Sequence, residues 1–205
     1  MAKVKLTKGE LKKQRDALKQ FERYLPILQL KKQQLQIEIQ RVHDKLNLKI
    51  QEIDAVESEI TEWAGLFKEP GDYVFKWVRP AKIHIGKLNI AGIETPILEK
   101  VDYEKPEYDL FLTPLWVDTA IEKIRQLVTL IEEEKILKTQ LRILEHELRI
   151  TMQRVNLFEK IKIPACRENI RLIRIYLGDQ ETNAVGRSKI AKAKIEQLVL
   201  EGVAL

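Results

Sequence analysis

The spacing of apolar residues over the first third of the chain constrains its fold most. From about Thr7 to Phe67 they fall at Leu11, Leu18, Phe21, Leu25, Leu28, Leu35, Ile39, Val42, Leu46, Ile50, Ile53, Val56, Ile60, Trp63 and Phe67. The steps are threes, fours and sevens, which place one stripe along a helix and let it face a partner helix. Between them lie mostly Lys, Arg, Gln and Glu, so the other faces are wet. The run Leu46, Ile50, Ile53 departs from strict alternation and reads as a local stutter. Thr7 with Glu10 has the form of a capping box, and Gly65 with Glu69-Pro70-Gly71 marks the stop. Such a helix is roughly 90 Å long at a rise of about 1.5 Å per residue. No small globular domain buries one alone.

A second seam starts near Thr113-Pro114, with proline at the helix start. It runs through Val117, Ile121, Ile124, Val128, Ile131, Leu137, Leu141, Leu144, Leu148, Met152, Val155 and Phe158, and resumes after Pro164 at Ile170, Ile173 and Leu177. Two seams of matched length predict an all-α dominated chain, a long antiparallel two-helix coiled coil with a small central β-hairpin appendage. The boundaries are 1–67 for the first helix, 68–116 for the middle, and 117–205 for the second helix with a basic tail. Pro26 and Pro164 each predict a kink, since an interior proline removes a hydrogen bond and costs about 3 kcal/mol or more in a straight helix. In the middle, Tyr73–Val78 and Lys82–Ile85 read as strands. Asn89–Ile93 followed by Pro96-Ile97-Leu98 reads as a hairpin with Gly92 near its turn. This appendage is expected to be peripheral to the stability of the helices, whose seams already bury their apolar stripe.

Composition removes several functions. A single cysteine, Cys166, cannot form an internal disulfide. No apolar run approaches the roughly 20 residues of a membrane helix. The start, MAKVKLTKGELKKQRD, has no apolar core of a signal peptide, so a soluble, cytoplasmic product is expected. No glycine-rich loop with the spacing of a nucleotide-binding P-loop occurs. His146-Glu147 begins a zinc-hydrolase motif, but Ile150 stands where the second histidine belongs. Cys166 has no histidine nearby to activate it. These features predict no catalytic residues, no metal and no cofactor. The first 32 residues carry ten basic against three acidic side chains, enough to meet nucleic-acid phosphates. They lack the interleaved aromatics of single-strand binders, so a solvated helix face is the plainer reading. What remains is a mechanical object: a rod, spacer, tether or shaft.

Three motifs in order narrow the choice. Arg154-Val155-Asn156-Leu157-Phe158-Glu159 is followed by Ile163-Pro164, then Ile170, Ile173 and Leu177. Near the start stand Thr7-Lys8, Leu11, Leu18 and then Lys31-Lys32 with Leu35, and in the middle Asn89-Ile90-Ala91-Gly92-Ile93 with Pro96. Together they resemble the D-subunit family of the vacuolar-type and archaeal-type rotary ATPases over essentially the whole chain. The resemblance implies a central stalk, or rotor shaft, with no active site. It transmits torque between ATP synthesis or hydrolysis in the catalytic head and movement of H+ or Na+ in the membrane ring. The implied partners are the catalytic and regulatory A and B subunits of the head, the small F subunit, and the protein capping the membrane rotor ring, with no nucleic acid. The implied location is peripheral, on the cytoplasmic face of the membrane. Candidate contact residues are Thr7, Lys8, Lys31, Lys32, Leu35, Ala91, Gly92, Arg154, Val155, Asn156, Glu159, Ile163 and Pro164. The competing reading is a free coiled-coil tether or a nucleic-acid-binding arm.

Overall fold

The computed structural model describes residues 4–63, 65, 77–105, 114 and 116–200. Its elements are α1 (Lys8–Trp63), β1 (Pro80–Ile90), β2 (Ile93–Tyr103), α2 (Trp116–Asn156), a π-helical turn (Leu157–Lys162) and α3 (Ile163–Leu200). Contacts gather into two units, one of residues 31–151 and one of residues 1–30 with 152–205. The expected stop at Glu69-Pro70-Gly71, the Tyr73–Lys76 part of the expected first strand, Phe67 and Thr113 lie outside the described residues.

In unit 31–151, α1 and α2 run antiparallel, as ion pairs Lys49–Glu133 at 3.0 Å and Lys123–Glu59 at 2.6 Å require. Leu35, Val42, Leu46, Ile53 and Val56 of α1 are buried, but Ile50 is 36% exposed. The seam position between Leu46 and Ile53 belongs instead to half-buried Lys49. The predicted stutter is therefore absent. Positions 11, 14, 18, 21, 25, 28, 32, 35, 39, 42, 46, 49, 53, 56 and 60 alternate threes and fours without a break, with Gln14, Lys32 and Lys49 as polar members. On α2 the seam takes Thr151, 3% exposed, rather than the expected Met152, 40% exposed. Thr151 lies three residues beyond Leu148 and four before Val155, which keeps the alternation.

The hairpin is not peripheral. Ile90, Ala91 and Ile93 at its tip pack against a buried cluster of Leu35, Val42 and Leu144. Thr95 is 1% exposed, and its hydroxyl donates to the Leu88 carbonyl at 3.0 Å. The buried Gln140 amide donates to the Pro96 carbonyl at 2.6 Å. The strands pair antiparallel with Ile90 opposite Ile93, and the register shifts between His84 and Ile85. Ala91 at φ 51° and Gly92 at φ 80° make the two-residue turn, both in the left-handed region that such a hairpin loop needs. The Asn89 side chain accepts the Gly92 N–H at 2.9 Å, which holds that turn.

At the other end of the hairpin, the Tyr103 hydroxyl donates to the Arg125 carbonyl at 3.0 Å and meets Thr129 Oγ1 at 2.8 Å. The Arg125 guanidinium donates to the carbonyls of Trp77 and Glu104 and lies 5.0 Å from the Tyr103 ring centre. Trp77 and Val78, expected at the end of a strand, are helical and buried against Val117 and Ile121. Their side chains fill the α2 seam there, which an outward-facing strand would leave open.

In unit 1–30 with 152–205, α1 and α3 are also antiparallel, tied by Lys8–Glu181 at 3.3 Å and Arg167–Glu22 at 2.9 Å. The buried seam of the second segment steps from Val155 to Ile163, Cys166, Ile170 and Ile173, with Phe158 half-buried between the first two. The step of five from Phe158 to Ile163 carries one residue more than an α-helical seam allows. The π turn absorbs it: the Ile163 N–H donates to the Phe158 carbonyl, five residues back. The widened turn also relieves the clash that the Pro164 ring would make with the carbonyl four residues before it. The disturbance predicted at Pro164 is thus a π turn. α1 stays helical through Pro26, whose ring faces solvent.

Candidate partner-binding surfaces

The candidate contact residues are placed by helix ends, seam and hairpin turn. Thr7 caps α1: its hydroxyl accepts the Glu10 N–H at 3.2 Å. The reciprocal half of the capping box is not seen, because the Glu10 carboxylate accepts from Gln14 at 2.9 Å. Lys8 is exposed and pairs with Glu181. Lys31 and Lys32, expected on a wet face, are half-buried, and Lys32 sits at a seam position. Leu35 is 0% exposed. Leu35 and Ala91 meet in one cluster, the pair of candidates that distant segments bring together. Val155 and Ile163 are buried seam residues, while Arg154, Asn156, Glu159 and Pro164 are exposed around the π turn. The motif therefore combines residues that pack the helices with residues exposed to solvent.

Two grooves accompany these elements. In unit 31–151, a cavity of about 560 Å³ lies between the hairpin and the two helices, with Leu88, Ile97, Leu48 and Ile136 in its lining. Its charged rim is largely self-neutralised. Arg41 pairs with Glu38 at 2.6 Å, and Lys49 pairs with Glu52 at 2.9 Å as well as with Glu133. Hydrogen bonds that Lys49 donates to Glu52 and then to Glu133 hold its ammonium pKa above the ordinary value, against a smaller opposing effect of burial. On the hairpin, Asp102 accepts from Lys100 at 2.6 Å and contacts His84 at 2.9 Å. Lys100 first and His84 second hold its carboxyl pKa below the usual value.

In unit 1–30 with 152–205, an open groove of about 1060 Å³ follows the paired helices over Leu11, Leu18, Ile170 and Leu177. Its walls are mainly basic. Beyond the groove, the α3 tail presents Val185, Ile190, Ile195, Leu198 and Val199 to solvent, each at least 45% exposed. Cys166 is buried, and burial pushes its thiol pKa up while Lys162 pulls it slightly down. Such a thiol is a weak nucleophile. Among the described residues no cluster of His, Cys, Asp and Glu has the form of a metal site. Nor is any helix there long and apolar enough to cross a membrane.

The sequence reading missed Lys49 with Glu133, Gln140 on Pro96, and Arg125 beneath Tyr103. Strict three-four alternation would have found Lys49. The other two depend on where the hairpin docks and left no local signal.

The family model for the ATP synthase D subunit matches residues 10–193. A V-type ATP synthase D subunit of Borreliella burgdorferi is 47% identical over 195 residues, covering 95% of this chain and 96% of that protein. Those of Chlamydia pneumoniae and Chlamydia felis are 38% and 34% identical, each over more than nine tenths of both chains. With the hairpin, the middle and C-terminal motifs and nearly all of the helices inside the matched span, the chain belongs to the D-subunit family of ATP synthases.

Proposed function

We propose that this chain is the non-catalytic rotor shaft of a V-type ATP synthase, carrying torque between the nucleotide chemistry of the head and ion movement at the membrane. Residues 1–67 and 117–205 supply the shaft and 68–116 the appendage. The observation that carries this reading is the seam of α1. It keeps one unbroken three-four alternation from Leu11 to Ile60, and its polar members stay half-buried. Within each unit such a seam resists twist, because turning one helix against the other would expose the layers of that unit together. The partners in this reading are the A and B subunits of the head, the F subunit and the protein capping the membrane rotor ring, at the cytoplasmic face. The exposed residues Lys8, Arg154, Asn156 and Glu159 are the contact candidates, while Leu35, Val155 and Ile163 act by holding the helices together.

Affinity purification of the tagged chain from its own cells tests the assignment. Recovery with the other synthase subunits is the expected result. Recovery with RNA or DNA, lost at high salt, would instead support the nucleic-acid arm. The purified chain alone should show no saturable binding of Mg-ATP.

A further inference from the structure

Flanking positions of a two-helix seam ordinarily carry opposite charges on the two helices, so that pairs close over the apolar layer. The groove of unit 1–30 with 152–205 keeps that rule at its two ends and breaks it between them. Lys8 pairs with Glu181 at one end and Arg167 with Glu22 at the other. Between these closures, α1 lines the groove with Lys12, Arg15 and Lys19 and α3 lines it with Arg174. All four are exposed, and no ion pair involves any of them among the described residues. Asp16 is the one carboxylate in that stretch of the lining. Like charges on facing helices destabilise the pair instead of supporting it. The groove of unit 31–151 comes nearer the ordinary arrangement, with two of its three lining cations, Arg41 and Lys49, matched by carboxylates from its own helices and Lys45 left over.

We infer that this basic groove is a docking track for an acidic, carboxylate-bearing protein segment of the synthase, whose charges supply what the chain's own helices withhold. The inference rests on the shaft reading and adds the chemistry of the partner. Leu11, Leu18, Ile170 and Leu177 in the groove lining offer that segment an apolar floor, while the four cations form its rim. A protein segment suits the site better than a nucleic acid, because the lining contains no aromatic side chain on which a base could stack. Exposed cations on long side chains attract carboxylates without fixing one pose. A surface that moves past its partner needs such contacts.

The test uses the complex reconstituted from its subunits, with association measured between about 50 and 500 mM salt, where screening lengths shrink from beyond a typical ion-pair network to within it. Three chains are compared: the wild type, the fourfold change Lys12→Gln, Arg15→Gln, Lys19→Gln and Arg174→Gln, and the single change Arg174→Glu. The fourfold variant should associate about tenfold more slowly or worse at low salt and lose most of the salt dependence. Arg174→Glu gives Lys12, Arg15 and Lys19 an internal partner. It should raise the melting temperature of the chain alone while weakening assembly, an opposite movement that misfolding cannot imitate. Equal association and equal salt slopes for all three chains would overturn the groove and leave the shaft reading standing. Failure of the wild type to assemble at any salt would overturn both. Tight binding of the wild type to a duplex or single-stranded oligonucleotide, lost in the fourfold variant, with assembly unchanged, would replace the acidic protein segment with nucleic acid.

Discussion

Leu144→Ala and Ile50→Ala separate the true seam from the one that apolar spacing predicts. Leu144 is 0% exposed and lies in a cluster with Leu35 and Val42, against the hairpin tip residues Ile90, Ala91 and Ile93. Two helices and a hairpin enclose it, and none can close on the vacated space without leaving another contact. The loss of transfer energy and the cavity therefore add, placing the cost at about 2.7–5 kcal/mol. For a chain of this size that corresponds to a fall in melting temperature of roughly 5–20 °C. Ile50 has the same apolar character but stands 36% exposed beside the seam position held by Lys49. Ile50→Ala also gains helix propensity, so its cost should stay below about 1 kcal/mol. Urea unfolding of the isolated variants, followed by circular dichroism, measures both. Equal losses would refute the seam assignment. In assembled complexes, Leu144→Ala should reduce ion pumping more than ATP hydrolysis, because a softened helix pair yields under torque. A proportional fall in both would show that the residue matters only for assembly.

Replacing Lys82–Val101 with a short Gly-Ser turn should lower the stability of the isolated chain by up to about 3–6 kcal/mol, since full burial of a side chain such as Ile90 or Ile93 contributes about 1.5–3 kcal/mol and both are partly buried; an unchanged thermal transition would mean the tip is not part of the core. Glu133→Ala should cost up to about 1 kcal/mol, while Lys49→Leu with Glu133→Leu should be neutral or stabilising by up to about 4 kcal/mol. A double variant less stable than Glu133→Ala in denaturant titration would show that the ion pair itself stabilises the seam. Because the Asp102 carboxyl pKa is lowered in the folded hairpin, its contribution is present above the ordinary value of 3.8 and lost as pH falls through the lower folded value. The Asp102 side-chain carboxyl resonance, followed by NMR on falling pH, should therefore titrate below 3.8; a midpoint at or above that value would show that Lys100 and His84 do not hold the charge in the folded hairpin.

The mainly three-four spacing of Leu11 to Ile60 and of Val117 to Phe158 determined the helices, because that periodicity is written in neighbours one turn apart, and the matched length of the two seams determined their pairing. The Ala91-Gly92 turn was legible for the same local reason: the Asn89-to-Ile93 run carries its own backbone requirement. Even the π turn was present in the step of five from Phe158 to Ile163, though that step matters only once both flanking seams face the same partner helix. Tertiary structure decided the rest. Ile50 outranks Lys49 on any apolar scale, yet adjacent helix positions point about 100° apart, and the position between Leu46 and Ile53 faces α2 whatever residue occupies it. The hairpin docks through Ile90, Ala91 and Ile93 onto residues more than forty positions away in either direction, and no repeat in the strands announces that contact. Nor could charge counting along the first helix show which cations go unanswered. That depends on Arg174, and not a carboxylate, arriving from a distant segment to line the same groove, a register set by the whole seam rather than by any local stretch.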